Sequence, residues 1–151
     1  TAPPVSIAQT NKKLRATVAW LGLLFFTLPG SADQVLIANA SVGVEGLSLN
    51  TTRLLFSMQL PQWPDGTAVR VFVLPDDHPG HRAFSKDLLR LYPRQLRRVW
   101  DRQLYSGTGQ APQTVADVEA MLKAVARTPG DIRYLSREMI DETVSELPLQ
   151  R

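Results

Sequence analysis

The sequence predicts an α/β domain in which a small sheet is flanked by helices. Short apolar runs of strand-forming residues end in turn residues at 34–39 and again at 69–74. Between and after these runs, apolar residues recur at helical spacing, as at Leu96, Val99 and Trp100. Strands that alternate with helices are typical of an α/β fold, here with the order βαβααα and then β.

Length and charge narrow the class of protein. At 151 residues with a 44% hydrophobic fraction, the chain is long enough for one domain with its own core. The formal charge of +3 comes from residues 1–32, which hold Lys12, Lys13 and Arg15 and no acidic residue. From Asp33 onward, the chain contains 14 basic and 14 acidic residues. This balance argues against a nucleic-acid-binding domain, which requires a basic surface.

Residues 1–32 are expected to form a polar extension followed by a signal peptide. A basic segment precedes a 13-residue apolar run at 16–28, and small residues follow at 30–32. We expect cleavage after Ala32 and export of a domain that comprises 33–151 to the periplasm. The alternative is a membrane anchor, but the apolar run is shorter than the roughly 17–25 residues that a span needs.

The first half of the domain begins with a strand over 34–39. Ser48 is a suitable N-cap for a helix that extends to about Met58. A turn with the dipeptide Asp65-Gly66 then leads into a strand over 68–74, where apolar residues alternate. A polar loop follows this strand and carries both histidines of the chain.

Two helices are expected next. Pro79 suits the first turn of a helix that runs to about Leu91, with Phe84, Leu88 and Leu91 on its apolar side. Pro93 restarts the helix, and an apolar stripe then recurs at Leu96, Val99, Trp100 and Leu104. We expect the aromatic side chains of Trp63, Trp100 and Tyr105 to lie in the core or at its edge.

The remaining elements follow a glycine-containing loop at 106–109. Thr114 and Asp117 resemble the start of a helix that Thr128-Pro129-Gly130 ends. A strand is expected over 132–135, with a further candidate over 142–147.

Arg94, Arg98 and Arg102 form one stripe on the predicted helix that follows Pro93. Such a stripe is typical of a solvated helix face, although it could also contact a polyanion or a protein partner. The neutral remainder of the domain favours the solvated face.

An ordered set of motifs resembles the phosphate ABC-transporter substrate-binding family, and in particular its short, stand-alone exported members. The set spans roughly residues 35 to 136. In order, it consists of Leu47-Ser48 with Phe56, Trp63-Pro64-Asp65-Gly66, the strand and its loop, Trp100, Ser106-Gly107-Thr108-Gly109 and Thr128-Pro129-Gly130-x-Ile132-x-Tyr134. The resemblance implies the type 2 periplasmic binding protein fold, in which two α/β lobes close on a ligand. This chain would supply a single lobe.

The same resemblance places a ligand-binding loop after the second strand, where the family holds an oxyanion with an arginine, an acid and a Ser-Gly-Thr run. By position, Asp76 or Asp77 matches the acid, Gly80 the glycine and His81 the threonine. Pro79 replaces the serine, and Leu74 stands near the position of the arginine. The closing motif departs as well, because Asp131 and Arg133 stand where small residues are usual.

The residues themselves leave two kinds of site open at this loop. Backbone amides near Gly80 and His81, with Arg82 and Arg70, could bind an oxyanion beyond the end of the strand. Alternatively, the two acids and two histidines at 76–81 could chelate a divalent metal, but their spacing follows no recognised ligand motif. We therefore expect no metal and no cofactor.

The sequence holds no motif for catalysis. It contains no cysteine, no G-x-S-x-G elbow, no HExxH and no P-loop. Ser106 with a histidine and Asp77 could be drawn as a triad, but nothing in the sequence positions a base. The protein is therefore not expected to be an enzyme.

Two functions are compatible with these observations. The first is an exported solute-binding-like domain that binds phosphate or another small oxyanion. Its expected ligand-binding residues are Asp76, Asp77, Gly80, His81, Arg82, Ser106, Gly107 and Thr108. The alternative is a non-catalytic interaction protein, a half-sized relic of the fold that forms a homodimer or docks on an envelope protein.

Overall fold

The structure is a computed structural model that describes residues 2–4, 33–107, 109–125, 127–140 and 144–150. The expected signal peptide and its cleavage after Ala32 lie outside the described residues. Within those residues, no helix combines the length and the apolar character that crossing a membrane requires.

The domain contains six strands and four α-helices within the described residues. The strands are β1 (Gln34–Ala38), β2 (Leu47–Ser48), β3 (Arg70–Val73), β4 (Gln113–Thr114), β5 (Asp131–Ser136) and β6 (Leu149–Gln150). The helices are α1 (Leu49–Phe56), α2 (Pro79–Ala83), α3 (Pro93–Ser106) and α4 (Val118–Val125). A π-helical turn at Phe84–Leu88 extends α2, and a 3-10 turn at Arg137–Met139 follows β5.

Four of the strands form one mixed sheet in the order β1-β5-β3-β4. β3 lies parallel to both β5 and β4, whereas β1 runs antiparallel to β5. β2 and β6 form a separate parallel pair. The expected α/β domain with a small sheet and flanking helices is therefore confirmed, and β3 occupies an interior position in that sheet.

Both faces of the sheet are buried. In β1, Leu36 belongs to the larger core cluster, whereas Val35 and Ile37 join a smaller cluster on the opposite face. This smaller cluster includes Leu135 and packs against Val118 of α4. Each large side chain buried in this way contributes roughly 1.5–3 kcal/mol to folding.

An aromatic cluster fixes the helices against β5. The rings of Phe84 and Tyr134 stack with centroids 3.8 Å apart and planes within 8° of parallel. Phe56 of α1 packs on Phe84 at 4.6 Å. Trp100 of α3 is buried, and its indole donates to the carbonyl of Phe56 at 2.7 Å. The two predictions that place Trp63 and Trp100 in the core are confirmed.

Helix starts follow the sequence signals closely. Ser48 is the N-cap of α1, and its hydroxyl accepts a hydrogen bond from the Thr51 amide at 3.1 Å. Pro79 occupies the first turn of α2, where its missing N–H leaves no donor unpaired. α3 begins at Pro93, as the sequence predicts.

The π-helical turn changes which leucine enters the core. The Leu89 amide donates to the Phe84 carbonyl five residues earlier, at 3.1 Å. This wider turn moves the buried position from Leu88, which is half-buried, to the fully buried Leu89. The predicted apolar side is confirmed, because Phe84 is buried and the half-buried Leu88 and Leu91 pack against the core; Leu89 joins them there.

Three predictions are wrong. Thr114 belongs to strand β4 rather than to a helix start, and α4 begins only at Val118. The predicted strand over 142–147 is reduced, within its described residues, to a bridge between Glu146 and Ile37. Tyr105 is 91% exposed, since it lies on the outer side of α3 beyond the core stripe.

Candidate functional site

The loop between β3 and α2 is shaped by its own hydrogen bonds. His78, not an acidic residue, is the N-cap of α2, and its Nδ1 accepts a hydrogen bond from the Gly80 amide at 3.0 Å. The His78 amide donates to the carbonyl of Pro75, and the Arg82 amide donates to the carbonyl of His78. The loop residues Asp76 and Asp77 are therefore not needed as helix caps.

Gly80 fits closely beneath this cap. A Cβ at this position would lie 3.1 Å from Nδ1 of His78 and 3.3 Å from a methyl carbon of Leu74. The absence of a side chain thus lets the first turn of α2 pack on the loop. Its amide is occupied by His78, so Gly80 supports the loop and offers no free donor to a ligand.

His81 is fully buried and is held by Tyr134. The Leu74 amide donates to the Tyr134 hydroxyl at 2.8 Å, and the same hydroxyl is hydrogen-bonded to Nδ1 of His81 at 2.6 Å. When this hydroxyl donates to Nδ1, neutral His81 carries its proton on Nε2. Burial lowers the pKa of His81, and its side chain is therefore neutral at physiological pH.

The Nε2 atom of His81 faces Asp76. It lies 3.8 Å from Oδ1 of that carboxylate and has no hydrogen-bond partner among the described residues. His81 itself is fully buried and cannot touch a ligand at the surface. Its link to the surface is Asp76, whose carboxylate lies between His81 and Arg97.

Asp76 forms a bidentate ion pair with Arg97 of α3. Arg97 donates from Nε to Oδ2 at 2.8 Å and from Nη2 to Oδ1 at 2.7 Å. The hydrogen bonds from Arg97 lower the pKa of Asp76, and the carboxylate raises the pKa of Arg97. The Arg97 guanidinium also lies 5.0 Å from the ring centroid of Trp100, so it is held from two directions.

A surface depression of about 560 Å³ opens around this ion pair. Seven residues line it: Asp76, Asp77, Arg82, Tyr92, Pro93, Arg94 and Arg97. Three guanidinium groups and two carboxylates give the lining a formal charge of +1. Arg82 is anchored through Nη2 on the Asp77 carbonyl at 2.5 Å, while Arg94 is exposed.

This depression brings together only part of the set expected from the sequence. Asp76, Asp77 and Arg82 line it, and Gly80 and His81 lie beneath it. Ser106 and Gly107 lie at the far end of α3, nine residues beyond Arg97 or about 14 Å along the helix axis. Thr108 lies outside the described residues.

Gly107 belongs to a different cavity. It ends α3 with a φ of 70° and lines a cavity of about 650 Å³ together with Met58, Pro61 and Arg70. Arg70 stands at the opposite end of β3 from the loop and does not approach Asp76. The Ser106 hydroxyl donates to the carbonyl of Gln103.

Sequence reasoning missed the contribution of α3 and β5 to the site. Arg97 lies 21 residues from Asp76, and only the packing of α3 brings them together. Tyr134 was a motif residue, but nothing in the sequence pairs it with His81. A signal was available in Arg97 itself, because it stands outside the exposed stripe of Arg94 and Arg98.

The chemistry of the site is that of charge pairing and hydrogen bonding. Within the described part of the chain, no three side chains of His, Cys, Asp or Glu converge in a way that could hold a metal ion. Nδ1 of His78 and Nδ1 of His81 both have partners in the fold. The arginines of the depression offer guanidinium N–H groups as donors, which suit oxyanions.

A second charged pair is buried under α4, away from this depression. Nη1 of Arg133 lies 3.0 Å from Oδ2 of Asp131, and both side chains are fully buried. Burial raises the pKa of Asp131 to about 7 and lowers the pKa of Arg133 to about 10. Arg133 also donates to the carbonyl of Met121 at 3.1 Å, which ties β5 to α4.

No family model and no curated protein sequence matches the chain. The fold, however, is that of one α/β lobe of a solute-binding protein, and the solved structures that resemble it include phosphate-transport proteins. A phosphate ABC transporter substrate-binding protein from Clostridium perfringens, solved with bound phosphate, has a TM-score of 0.60 at 15% identity. An ABC-type phosphate transport receptor from Vibrio cholerae has a TM-score of 0.58 at 11% identity.

The match covers most of this chain but less than half of each neighbour. It extends over 77% of this chain and 44% of the Clostridium protein. For PstS from Borrelia burgdorferi, the TM-score is 0.57 at 9% identity, with 78% of this chain and 47% of that chain covered. The resemblance to the phosphate ABC-transporter substrate-binding family is thereby confirmed at the level of the fold.

Proposed function

We propose that the domain is a solute-binding lobe that binds a small oxyanion, phosphate above all, in the depression beside the Asp76–Arg97 ion pair. The observation that carries the proposal is the convergence of Arg82, Arg94 and Arg97 beyond the carboxyl end of β3. In open α/β folds, ligands bind in the crevice outside the carboxyl ends of the strands. The neighbours named for phosphate transport support the same ligand class.

The charge distribution of the chain favours an anion at this place. Residues 82–102 contain seven arginines and lysines and two aspartates, whereas the domain from Asp33 onward is balanced overall. Half of its 14 basic residues therefore lie between Arg82 and Arg102. Six of them are on α2, its π-helical extension and α3, and Arg90 lies between that extension and α3. Such a concentration raises the local level of anions and speeds their encounter with the site.

Arg97 is the residue best prepared to receive the ligand. Asp76 holds its Nε and Nη2, so the guanidinium plane is fixed before a ligand arrives. The remaining N–H groups can donate to a phosphate oxygen. Little side-chain entropy is then lost on binding, because the rotamer is already selected.

The acidic groups favour an oxyanion that carries a proton. The carboxylate of Asp77 lines the depression and would repel a fully ionised anion. It can instead accept a hydrogen bond from the hydroxyl of hydrogen phosphate, whereas sulfate offers no proton at neutral pH. We therefore expect phosphate to bind more tightly than sulfate.

Export places the lobe where it could meet such a solute. The basic segment, the apolar run at 16–28 and the small residues before Asp33 support a signal peptide and a periplasmic location. The alternative function, an interaction protein that dimerises or docks on an envelope partner, stays a prediction.

Isothermal titration of the full chain with phosphate and sulfate tests the proposal. We expect binding heat with phosphate, and we expect Arg97→Gln to weaken binding at least about tenfold, because charge-assisted hydrogen bonds are worth roughly 1.5–3 kcal/mol. Arg70→Gln is the matched control, since Arg70 lies at the other end of β3. Absence of binding at millimolar phosphate, or equal losses in both variants, would contradict the proposal.

A further inference from the structure

Tyr92 presents an aromatic ring that the fold does not use. Its backbone forms the start of α3, where the Tyr92 amide donates to Oε1 of Gln95 and the Gln95 amide donates to the Tyr92 carbonyl. The residue is 66% exposed. Among the described residues, its ring takes part in no aromatic stack and no cation–π contact, unlike those of Phe84, Trp100 and Tyr134.

Tyr92 lines two cavities. One is the depression of about 560 Å³ beside Arg97, and the other, of about 430 Å³, is lined by Lys86, Asp87, Arg90, Leu91, Tyr92 and Gln95. Tyr92 is the residue that lines both of these cavities. Pockets of roughly 300–1,000 Å³ are typical of small organic ligands, so this pair offers far more room than a four-oxygen anion fills.

We propose that the site takes an organic phosphate whose aromatic group lies against Tyr92, of the class of aryl phosphate monoesters and nucleotides. The inference rests on the proposed function, because the phosphate group occupies the depression of Arg82, Arg94 and Arg97. The aromatic group extends over Tyr92 towards Leu91 and Arg90 in the second cavity.

The exposed ring suits this role on physical grounds. Offset stacking of two aromatic rings adds about 0.5–1.5 kcal/mol beyond burial of area, which corresponds to roughly a two- to twelvefold gain in affinity. Arg90 has a positive φ of 59°, an uncommon conformation for a residue other than glycine, and lies at the second cavity two residues before Tyr92. The first cavity thus offers the guanidinium groups of its arginines, the second offers that of Arg90, and Tyr92 lines both.

Three probes of graded structure test the inference by titration of the full chain: inorganic phosphate, glycerol 2-phosphate and phenyl phosphate. The two esters carry the same anionic group and differ in the aromatic ring. We expect phenyl phosphate to bind several-fold more tightly than glycerol 2-phosphate. Tyr92→Ala should abolish that preference, so that the two esters bind with equal affinity, whereas Tyr92→Phe should keep it.

Tyr105→Ala is the control, because Tyr105 is also an exposed tyrosine but lies near the C-terminal end of α3, whereas Tyr92 is the N-cap of that helix. It should change none of the three affinities. If phosphate binds and the two esters bind equally, the inference fails while the proposed function stands. If none of the three probes binds, the proposed function fails and the inference falls with it.

Discussion

At the scale of single residues, one chain of contacts links the sheet to the surface. It passes from the Leu74 amide to the Tyr134 hydroxyl, to His81, to the carboxylate of Asp76 and to Arg97. Every member except Asp76 and Arg97 is buried. The buried part therefore sets the position of the ion pair that a ligand would meet.

The lowered pKa of His81 predicts how stability depends on pH. Burial favours its neutral form in the folded protein, so the unfolded chain binds the proton more readily below its ordinary pKa of about 6.5. The free energy of unfolding should therefore fall as the pH drops below about 6.5, relative to His81→Gln, in which nothing titrates at this position. The limiting slope is about 1.4 kcal/mol for each pH unit.

Urea unfolding of both proteins between pH 8 and pH 5 measures this difference. Asp131, whose pKa is raised to about 7, acts in the opposite direction but is common to both proteins and cancels. A difference in stability that stays constant across the range would show that His81 is not held in its neutral form.

Because Asp131 and Arg133 form a buried pair, we expect the effects of substituting them on the free energy of unfolding to be non-additive. Asp131→Leu alone leaves Arg133 buried without its counter-charge and should cost about 3–5 kcal/mol. The double variant Asp131→Leu with Arg133→Met removes both charges, and its stability should return to within about 1 kcal/mol of the natural chain or exceed it.

The control is the exposed pair of Lys123 and Glu119, whose atoms lie 2.7 Å apart. Glu119→Ala should cost less than about 1 kcal/mol. If the double variant is no more stable than Asp131→Leu, the loss of stability comes from altered packing and not from the unpaired charge of Arg133.

At the scale of elements, the turn before β5 sets the register of the sheet. Gly130 has a φ of 77°, and its carbonyl accepts hydrogen bonds from Nε1 of Trp63 at 2.8 Å and from the Arg70 amide at 3.0 Å. A Cβ on Gly130 would clash with the backbone carbonyl of Ala68. The turn thereby fixes β3 and β5 side by side, and with them the loop that carries Asp76.

Gly130→Ala should destabilise the domain by at least about 3 kcal/mol, because the positive φ and the clash with backbone add together. Gly66→Ala isolates the first effect, since Gly66 has a φ of 86° but open space around it, and should cost about 1 kcal/mol. Gly43→Ala, in open space and without a positive φ, should be nearly neutral. Equal losses at Gly130 and Gly66 in thermal unfolding would rule out the clash.

Local sequence signals predicted the elements well and the contacts between them poorly. Ser48 and Pro79 act through neighbours within four residues, so their roles are legible in the sequence. Strand β4 consists of two exposed polar residues, Gln113 and Thr114, which carry no periodic signal. It forms only because β3 offers it a parallel edge.

For the candidate site too, the sequence predicted the local segment but not its long-range contacts. The loop after β3 was predicted as the ligand site, and it does line a charged depression. The burial of His81 was not predictable, because it depends on Tyr134, 53 residues away. The grouping of the loop with Ser106 and Gly107 came from the family resemblance, and the length of α3 keeps the two apart here.

At the scale of the whole molecule, the chain spans 44% to 47% of the length of the solved proteins from Vibrio cholerae, Clostridium perfringens and Borrelia burgdorferi that it resembles in fold. It nevertheless holds a core with buried faces on both sides of its sheet. The depression beside Arg97 lies at the surface of this lobe, and the proposed function has the ligand bind there. Affinity must then come from charge and from prepared side chains rather than from enclosure.

The most direct test of this account is a phosphate titration of the ¹⁵N-labelled full chain followed by NMR. We expect saturable shifts of the amide signals at 76–82 and at Arg94 and Arg97, with the signals at Gly107 and Gly109 unmoved. Shifts confined to the region of Gly107, or no saturable shift at millimolar phosphate, would contradict oxyanion binding at the Asp76–Arg97 depression.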